Sequence, residues 1–326
     1  MLFRAEELDD AARVVRRWVP PTPQYAWPLL ARAVGTEVWV KHENHTPTGA
    51  FKVRGGLVYT TRLKAARPTT PGIVSATRGN HGQSLAFAGA AVGLPVTIVV
   101  PYRNNQDKNA AMSAFGAEVI EHGHDFQAAL EFARELASER RLEVVPPYHP
   151  DLVLGVATYA RELFGAVEGL DAVYVPVGMG SGISGLIGVR DLLDLATEII
   201  GVVAEAAPAV SRSFTAGRVV TTETAATFID GVACRVPDES AIEVIRKGAA
   251  RIIEVSEHGC ADAMRLLFSS THNTPEPAGA IALAGLMSDA AAGAEITGRR
   301  LAVIQTGGNV DSATFARVLA GQTPDP

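Results

Sequence analysis

The residues best suited to chemistry begin at Lys52, in Thr48-Gly49-Ala50-Phe51-Lys52-Val53-Arg54-Gly55-Gly56. An aromatic side chain precedes the amine, a helical stretch begins at it, and glycines lie on both sides. This setting describes a lysine held partly dry against close-packed backbone. Burial disfavours an ammonium, and a neutral amine is what imine formation with a carbonyl cofactor requires. The plain alternative is a lysine snorkelling over a surface helix. Three further loops weigh against it.

The first reads Val175-Pro176-Val177-Gly178-Met179-Gly180-Ser181-Gly182-Ile183-Ser184-Gly185. A strand, a glycine turn and then a helix bring backbone N–H groups and a helix N-terminus to a phosphate. Ser181 adds a hydroxyl donor. Gly180–Gly185 also fits the dinucleotide fingerprint G-x-G-x-x-G, and Glu205 stands about 20 residues on, where a ribose-binding acid belongs. A nicotinamide-binding half-domain is therefore a second reading of the same loop. A ligand-free tight turn accounts poorly for four glycines within eight residues.

The second loop, Thr77-Arg78-Gly79-Asn80-His81-Gly82-Gln83, sets small and amide-bearing residues at a helix start, where N–H groups can receive a carboxylate or an oxyanion. Asn80 can donate to a ring hydroxyl, and His81 suits a structural hydrogen bond better than a base. The third, Ile304-Gln305-Thr306-Gly307-Gly308-Asn309-Val310, places the Thr306 hydroxyl at the end of a buried strand.

These loops need a frame. Largely apolar runs at Gly72–Ala76, Val96–Pro101, Ala172–Val177, Ile199–Ala204 and Leu301–Ile304 read as strands, as do Glu37–Lys41, Glu118–Glu121 and Glu143–Val145. Helical patterns lie between them at Gln83–Val92, Asp107–Phe115, Phe126–Ser138, Val153–Val167 and Leu186–Leu195. Apolar strands separated by helices predict α/β architecture with mainly parallel sheets covered on both faces. Two three-layer α/β/α lobes follow: a smaller one over residues 47–148, and a larger one built from 1–46 and 149–326. Ligands in such sheets lie beyond the carboxyl ends of the strands, which is where the loops after Ala76, Val177 and Ile304 begin.

Bulk properties narrow the class. The chain has 326 residues with 47% hydrophobic and 20% charged content, enough for a substantial core. A net charge of −6, from 29 basic and 35 acidic residues, argues against a nucleic-acid partner. No apolar stretch reaches membrane-spanning length, and the acidic N-terminus lacks the apolar core of a signal peptide. Cys234 and Cys260 stand alone without metal-type spacing, as fits a reducing cytoplasm. His122-Gly123-His124-Asp125 suggests a metal group but reads better as a polar turn, and His42 and His45 read as hydrogen-bonding residues beside the Lys52 loop.

Taken in order, the four motifs resemble the fold-type II pyridoxal-phosphate enzymes (tryptophan synthase β-like), specifically the threonine/serine dehydratase and serine racemase family. The resemblance runs from Thr22-Pro23 through Asn309. It implies that the larger lobe binds the cofactor and the smaller one carries the substrate loop. Lys52 would be the Schiff-base lysine, with Phe51 packed beside the cofactor ring. Asn80 would bind the ring's 3-oxygen, Gly178, Met179, Gly180, Ser181 and Gly182 the phosphate, and Thr306 would face the pyridine nitrogen. Thr77, Arg78, Gly79, Asn80 and His81 would form the substrate-carboxylate loop. Gly231 and Glu276 match further positions lining the pocket.

The implied activity is a lyase of amino-acid catabolism. L-threonine, L-serine or a related 3-hydroxy amino acid would give a 2-oxo acid and ammonia, and a homodimer is the family's usual assembly. Departures from the pattern refine this. Ala50 stands where relatives often have serine. Arg78 stands where racemases place an acid/base serine, and a guanidinium with a pKa above ~12 does not shuttle protons. Serine racemisation is therefore disfavoured, while 3-hydroxyaspartate dehydration is a close alternative, since Arg78 could pair with an acidic side chain. Glu205 fits the family's divalent-metal position but Ser211 replaces its aspartate partner, so no strong metal site is expected. The chain ends soon after the Thr306 loop, an expectation of no isoleucine-sensing regulatory domain. An NAD-dependent oxidoreductase and a catalytically silent cofactor binder remain the readings outside this class.

Overall fold

The computed structural model describes residues 2–124 and 126–325. The chain opens with helix α1 (Ala5–Arg16), strand β1 (Gln24–Ala26), helix α2 (Pro28–Val34) and strand β2 (Glu37–His42). It continues through α3 (Lys52–Ala66), β3 (Ile73–Ala76), α4 (Asn80–Val92), β4 (Val96–Val100) and α5 (Gln106–Ala114). Next come β5 (Glu118–Glu121), α6 (Phe126–Arg140), β6 (Glu143–Val144), α7 (Pro150–Ala166) and β7 (Ala172–Pro176). The remainder is α8 (Ser181–Leu192), β8 (Glu198–Ala204), α9 (Ala209–Ala216), α10 (Glu239–Gly248), β9 (Arg251–Val255), α11 (Glu257–Thr271), α12 (Pro277–Ala291), β10 (Arg300–Gln305) and α13 (Ser312–Leu319).

Two compact units result. The larger comprises Met1–Ala5, Pro21–His45 and Tyr159–Pro326, and the smaller Glu6–Pro20 and Thr46–Thr158. The sequence pattern assigns all of 1–46 to the larger lobe. In the structure residues 6–20 group with the smaller unit, where Trp18 packs edge-to-face on Phe87 of α4. Residues 149–158, also expected in the larger lobe, fall in the smaller unit, because α7 packs its glycine-bearing first half backbone-to-backbone on α3.

In the larger unit six strands lie in the order β1-β2-β10-β7-β8-β9, all parallel except the β1–β2 pair. One set of strand side chains, including Val38, Val40, Tyr174, Val202 and Val303, packs with Leu30 of α2, Met264 and Leu267 of α11 and the apolar face of α12. The alternate residues Val173, Val175, Ile199 and Val203 are fully buried as well. Side chains alternate across a pleated strand, so both faces of this sheet are covered.

The smaller unit holds a parallel sheet in the order β5-β4-β3-β6. Ile73, Val96, Ile98 and Val100 face Tyr59 and Leu63 of α3, Leu85 of α4 and Met112 of α5. Val74, Ala76 and Val99 face Ala129, Ala133 and Leu136 of α6. Three layers follow directly from the period of two. Among the described residues no helix is long and apolar enough to cross a membrane.

Candidate active site

In the smaller unit α3 begins at Lys52, with Phe51 as its first flanking residue in helical conformation. Both side chains are half-buried, and the Lys52 ammonium lies 5.2 Å from the centroid of the Phe51 ring. The helix sits deep. Gly55 and Gly155 make α3 and α7 cross backbone to backbone: a Cβ on Gly155 would lie 2.2 Å from the Arg54 carbonyl oxygen. The Ser84 hydroxyl of α4 donates to the Lys52 carbonyl at 2.7 Å, and a Cβ on Gly56 would strike that hydroxyl. The base of the Lys52 side chain is thus held by packing on two neighbouring helices.

The Thr77–His81 loop leaves the carboxyl end of β3. Thr77 is buried and its N–H donates to the Val99 carbonyl at 3.1 Å, extending the strand pairing by one residue. Asn104 donates to the Arg78 carbonyl at 3.3 Å, leaving the Arg78 side chain exposed. Gly79 caps α4, and a Cβ there would meet the Lys108 side chain at 3.0 Å. His81 Nε2 is buried with no hydrogen-bond partner among the described residues. Burial, with the positive charge of Lys52 adding to it, holds the His81 pKa down at about 3. A ring that stays neutral at so low a pH is poorly matched to general-base work near neutrality, but the structural hydrogen bond expected of it from sequence is not found at Nε2 among the described residues.

In the larger unit the glycine loop leaves β7 and turns into α8 at Gly180, whose φ of +96° lies in the left-handed region that glycine adopts without a Cβ penalty. Ser181 opens α8 and is buried. The Tyr159 hydroxyl donates to the Gly182 carbonyl at 2.9 Å and fixes this first turn. Gly178 approaches so closely that a Cβ would sit 2.6 Å from the Gly231 carbonyl oxygen, and Cys234 places its sulfur 3.6 Å from that of Met179. Gly231 in turn packs on Ala278, and a Cβ on Gly279 would lie 2.3 Å from the Gly307 carbonyl oxygen. Glu276 is buried and its N–H donates to Gly307 at 3.1 Å, while the buried Thr306 hydroxyl donates to the Ala278 carbonyl at 3.2 Å.

The candidate residues therefore fall into one coherent set per unit. Phe51, Lys52, Thr77, Arg78, Gly79, Asn80 and His81 belong to the smaller; Gly178 to Gly182, Gly231, Glu276 and Thr306 belong to the larger. A helix N-terminus opening from a glycine-rich turn fits an anionic phosphate, and the buried His81 nitrogen, without a partner among the described residues, fits a polar group not otherwise supplied. The residues present suit pyridoxal phosphate.

Other groups have plainer roles. The Ser211 hydroxyl donates to the Glu254 carboxylate, and among the described residues no three His, Cys, Asp or Glu side chains gather to hold a metal. His122 stacks on Phe132 at 3.9 Å and His124 meets Tyr102, while Asp125 lies outside the described residues. Burial raises the Cys234 thiol to about 11 and pushes Cys260 well above the ordinary thiol range, which leaves neither as a thiolate near neutrality. Two features escaped the sequence. One is the glycine crossing of α3 on α7. The other is a buried pair in which Lys41 Nζ reaches Glu162 at 2.7 Å, together with the Thr22 carbonyl and the Gln24 side chain. The small-residue spacing Gly55/Gly155 was visible as composition only.

The family model described as "Pyridoxal-phosphate dependent enzyme" matches residues 15–307. The chain is 30% identical to the L-threo-3-hydroxyaspartate ammonia-lyase of Saccharomyces cerevisiae, over 97% of this chain and 96% of that one. It is 29% identical to the L-threonine ammonia-lyase of Thermotoga maritima, over 98% of this chain and 78% of that one. Among solved structures, the processed form of threonine deaminase isoform 2 from Solanum lycopersicum superposes with a TM-score of 0.88 at 26% identity, covering 98% of this chain and 95% of that one. The half-buried lysine at the start of α3, the glycine-bearing loops at the strand ends and a match spanning most of the sequence agree: the chain belongs to the family of pyridoxal-phosphate dependent enzymes.

Proposed function

We propose that this protein is an ammonia-lyase that eliminates water from a 3-hydroxy amino acid and releases ammonia when water adds back and hydrolyses the resulting enamine, so that threonine gives 2-oxobutanoate and serine gives pyruvate with net loss of ammonia alone. The observation that carries the reading is the N-terminus of α8, reached through a left-handed Gly180 from a turn in which Gly178 packs closely on the Gly231 carbonyl. Pyridoxal phosphate, when bound, supplies the electron sink that makes the α-proton acidic. In this reading the larger unit holds the cofactor and the smaller carries the substrate loop.

Lys52 would hold the cofactor's aldehyde carbon on Nζ, and its amine, once displaced, would take the α-proton of the substrate. Phe51 would limit the motion of that amine and keep water from it. Asn80 would bind the ring's 3-oxygen, and the N–H groups of Thr77 to His81 at the start of α4 the substrate carboxylate. Gly178, Met179, Gly180, Ser181 and Gly182 would hold the phosphate, with Gly231 and Glu276 beside the ring. Thr306 would meet the pyridine nitrogen with a hydroxyl. A hydroxyl cannot hold that nitrogen protonated as a carboxylate would, so less charge is drawn into the ring and loss of a β-hydroxyl is the easier exit.

A second reading within the class takes 3-hydroxyaspartate as substrate. Its support is the exposed Arg78 at the substrate loop, with the Lys108 stem against Gly79 one residue on, since two cations favour a second carboxylate. Arg78 also stands against racemisation, because it offers no proton to exchange. A reducing cytoplasm, supported by two buried free thiols, and a homodimer, which rests on the family resemblance alone, complete the proposal. Incubation with threonine, serine and both diastereomers of 3-hydroxyaspartate, with 2-oxo acid release measured, tests it. Release from at least one supports the reading, and none from any of them refutes it.

A further inference from the structure

His42 ends β2 and stands in register with Gln305, the last residue of β10. Both side chains are buried, at 1% and 0% exposure. Trp27 Nε1 lies 3.0 Å from His42 Nε2, and His42 Nδ1 lies 2.8 Å from the Gln305 side-chain oxygen. An indole N–H can only donate, so His42 Nε2 must accept. A neutral imidazole then carries its proton on Nδ1 and must donate it to an oxygen, which turns the Gln305 amide so that its NH2 is left over. That NH2 lies 3.3 Å from the Thr274 carbonyl oxygen. Every direction in the series is thus set by one donor at its head. Burial pulls the His42 pKa down to about 4, so the ring stays neutral near pH 7.

The series ends in the loops of the candidate site. Thr306 follows Gln305 directly, and its hydroxyl reaches Ala278. Thr274 precedes Glu276, whose N–H donates to Gly307, and a Cβ on Gly308 would lie 2.7 Å from the Thr274 carbonyl oxygen. The Gln305 amide therefore sits between the two backbone segments that present Thr306 and Glu276.

We propose that Trp27, His42 and Gln305 form a one-directional hydrogen-bond relay that holds the end of β10, making His42 a positioning residue for the Thr306 hydroxyl at the cofactor ring. This rests on the assignment of Thr306 to the ring nitrogen given above. His42 touches neither cofactor nor substrate in this account. It acts through Gln305, and its loss should disturb the orientation of a hydroxyl rather than substrate binding.

Two measurements on the full chain test it. A long-range proton–nitrogen spectrum of histidine side chains, with the His42 signals assigned through H42N, should show a neutral ring protonated on Nδ1, with or without cofactor. Trp27→Phe should abolish that single tautomer. A charged ring or an Nε2–H form in the parent protein overturns the relay. Second, H42L removes the donor to Gln305, whereas H42N keeps an N–H near the Nδ1 position. H42L should lower kcat about tenfold with KM within about twofold, as expected when an oriented group is misplaced. It should also shift the visible band of the bound cofactor, and H42N should restore both. Parent-like kcat and band in H42L overturn the positioning role. A correct tautomer with no hydride-trapped adduct on Lys52 overturns that role together with the cofactor assignment, whereas a wrong tautomer beside an intact adduct overturns the relay alone.

Discussion

Two glycines ten residues apart on α7 should respond to the same substitution with opposite sign. A Cβ on Gly155 would lie 2.2 Å from the Arg54 carbonyl oxygen and 2.7 Å from Gly55 Cα, both backbone atoms that no rotamer change can move aside. Ordinary contact begins at 3.4 Å, so Gly155→Ala must separate α3 and α7 by about 1 Å in a closely packed crossing. The same crossing holds the buried Arg54 guanidinium on the Thr158 hydroxyl at 3.1 Å. Overpacking of this kind costs about 1–3 kcal/mol, partly offset by roughly 1 kcal/mol from replacing a helical glycine with alanine. A net loss of roughly 0–2 kcal/mol follows from these two terms, and disturbing the buried Arg54–Thr158 hydrogen bond adds about 1 kcal/mol or more. Gly165 lies further along α7, exposed, with nothing within 4 Å of a built Cβ. There Gly165→Ala should stabilise by about 0.5–1 kcal/mol. Urea unfolding followed by circular dichroism resolves the difference. Because α3 begins at Lys52, Gly155→Ala should also lower kcat, whereas Gly165→Ala should not. Equal signs for the two variants, or a Gly155→Ala protein as stable as the parent, would refute the close-crossing account.

Acid should weaken the fold through two buried imidazoles. His42 and His81 have pKa values depressed from 6.5 to about 4 and about 3, so between those values and 6.5 the unfolded chain binds protons that the folded one refuses. Their contribution is complete above pH 6.5 and is lost as pH falls toward 4, on the order of 3 kcal/mol for His42. Unfolding midpoints measured from pH 7 to 4.5 should fall steeply in the parent and less in H42N; identical slopes would remove His42 from the explanation. Glu162→Ala takes a carboxylate away from the fully buried Lys41 ammonium, leaving it the Thr22 carbonyl and the Gln24 side chain, and should cost about 3–5 kcal/mol, read by thermal melting, with a loss under about 1 kcal/mol counting against a buried pair. Arg78→Met should leave threonine turnover within about threefold while lowering kcat/KM for 3-hydroxyaspartate by about tenfold or more. An unchanged ratio would remove Arg78 from substrate choice.

Much of the frame was legible because parallel strands covered on both faces must be apolar throughout. Val96–Val100 and Ala172–Pro176 are buried at every position and, apart from Thr97, stand out as apolar runs. Two strands did not. β1 is three residues with Pro23 and Pro28 close by, and β9 exposes Arg251 and half-buries its centre; edge strands carry no continuous apolar signature. The site loops were visible through glycine spacing and strand ends, since close backbone approach demands glycine locally. What joins distant segments was not. Lys41 meets Glu162 across 121 positions and His42 meets Gln305 across 263, and no local pattern encodes such pairings. The grouping of residues 6–20 with the smaller unit likewise depends on what the apolar face of α1, through Leu8, Ala11, Ala12 and Val15, finds to cover it.

The central claim is a covalent attachment at one amine. Borohydride reduction of the full-length protein loaded with pyridoxal phosphate, followed by peptide mass spectrometry, should place a single phosphopyridoxyl group on Lys52 and none in Lys52→Ala. A parent protein that stays unmodified in excess cofactor, or carries the group on another lysine, would contradict the account.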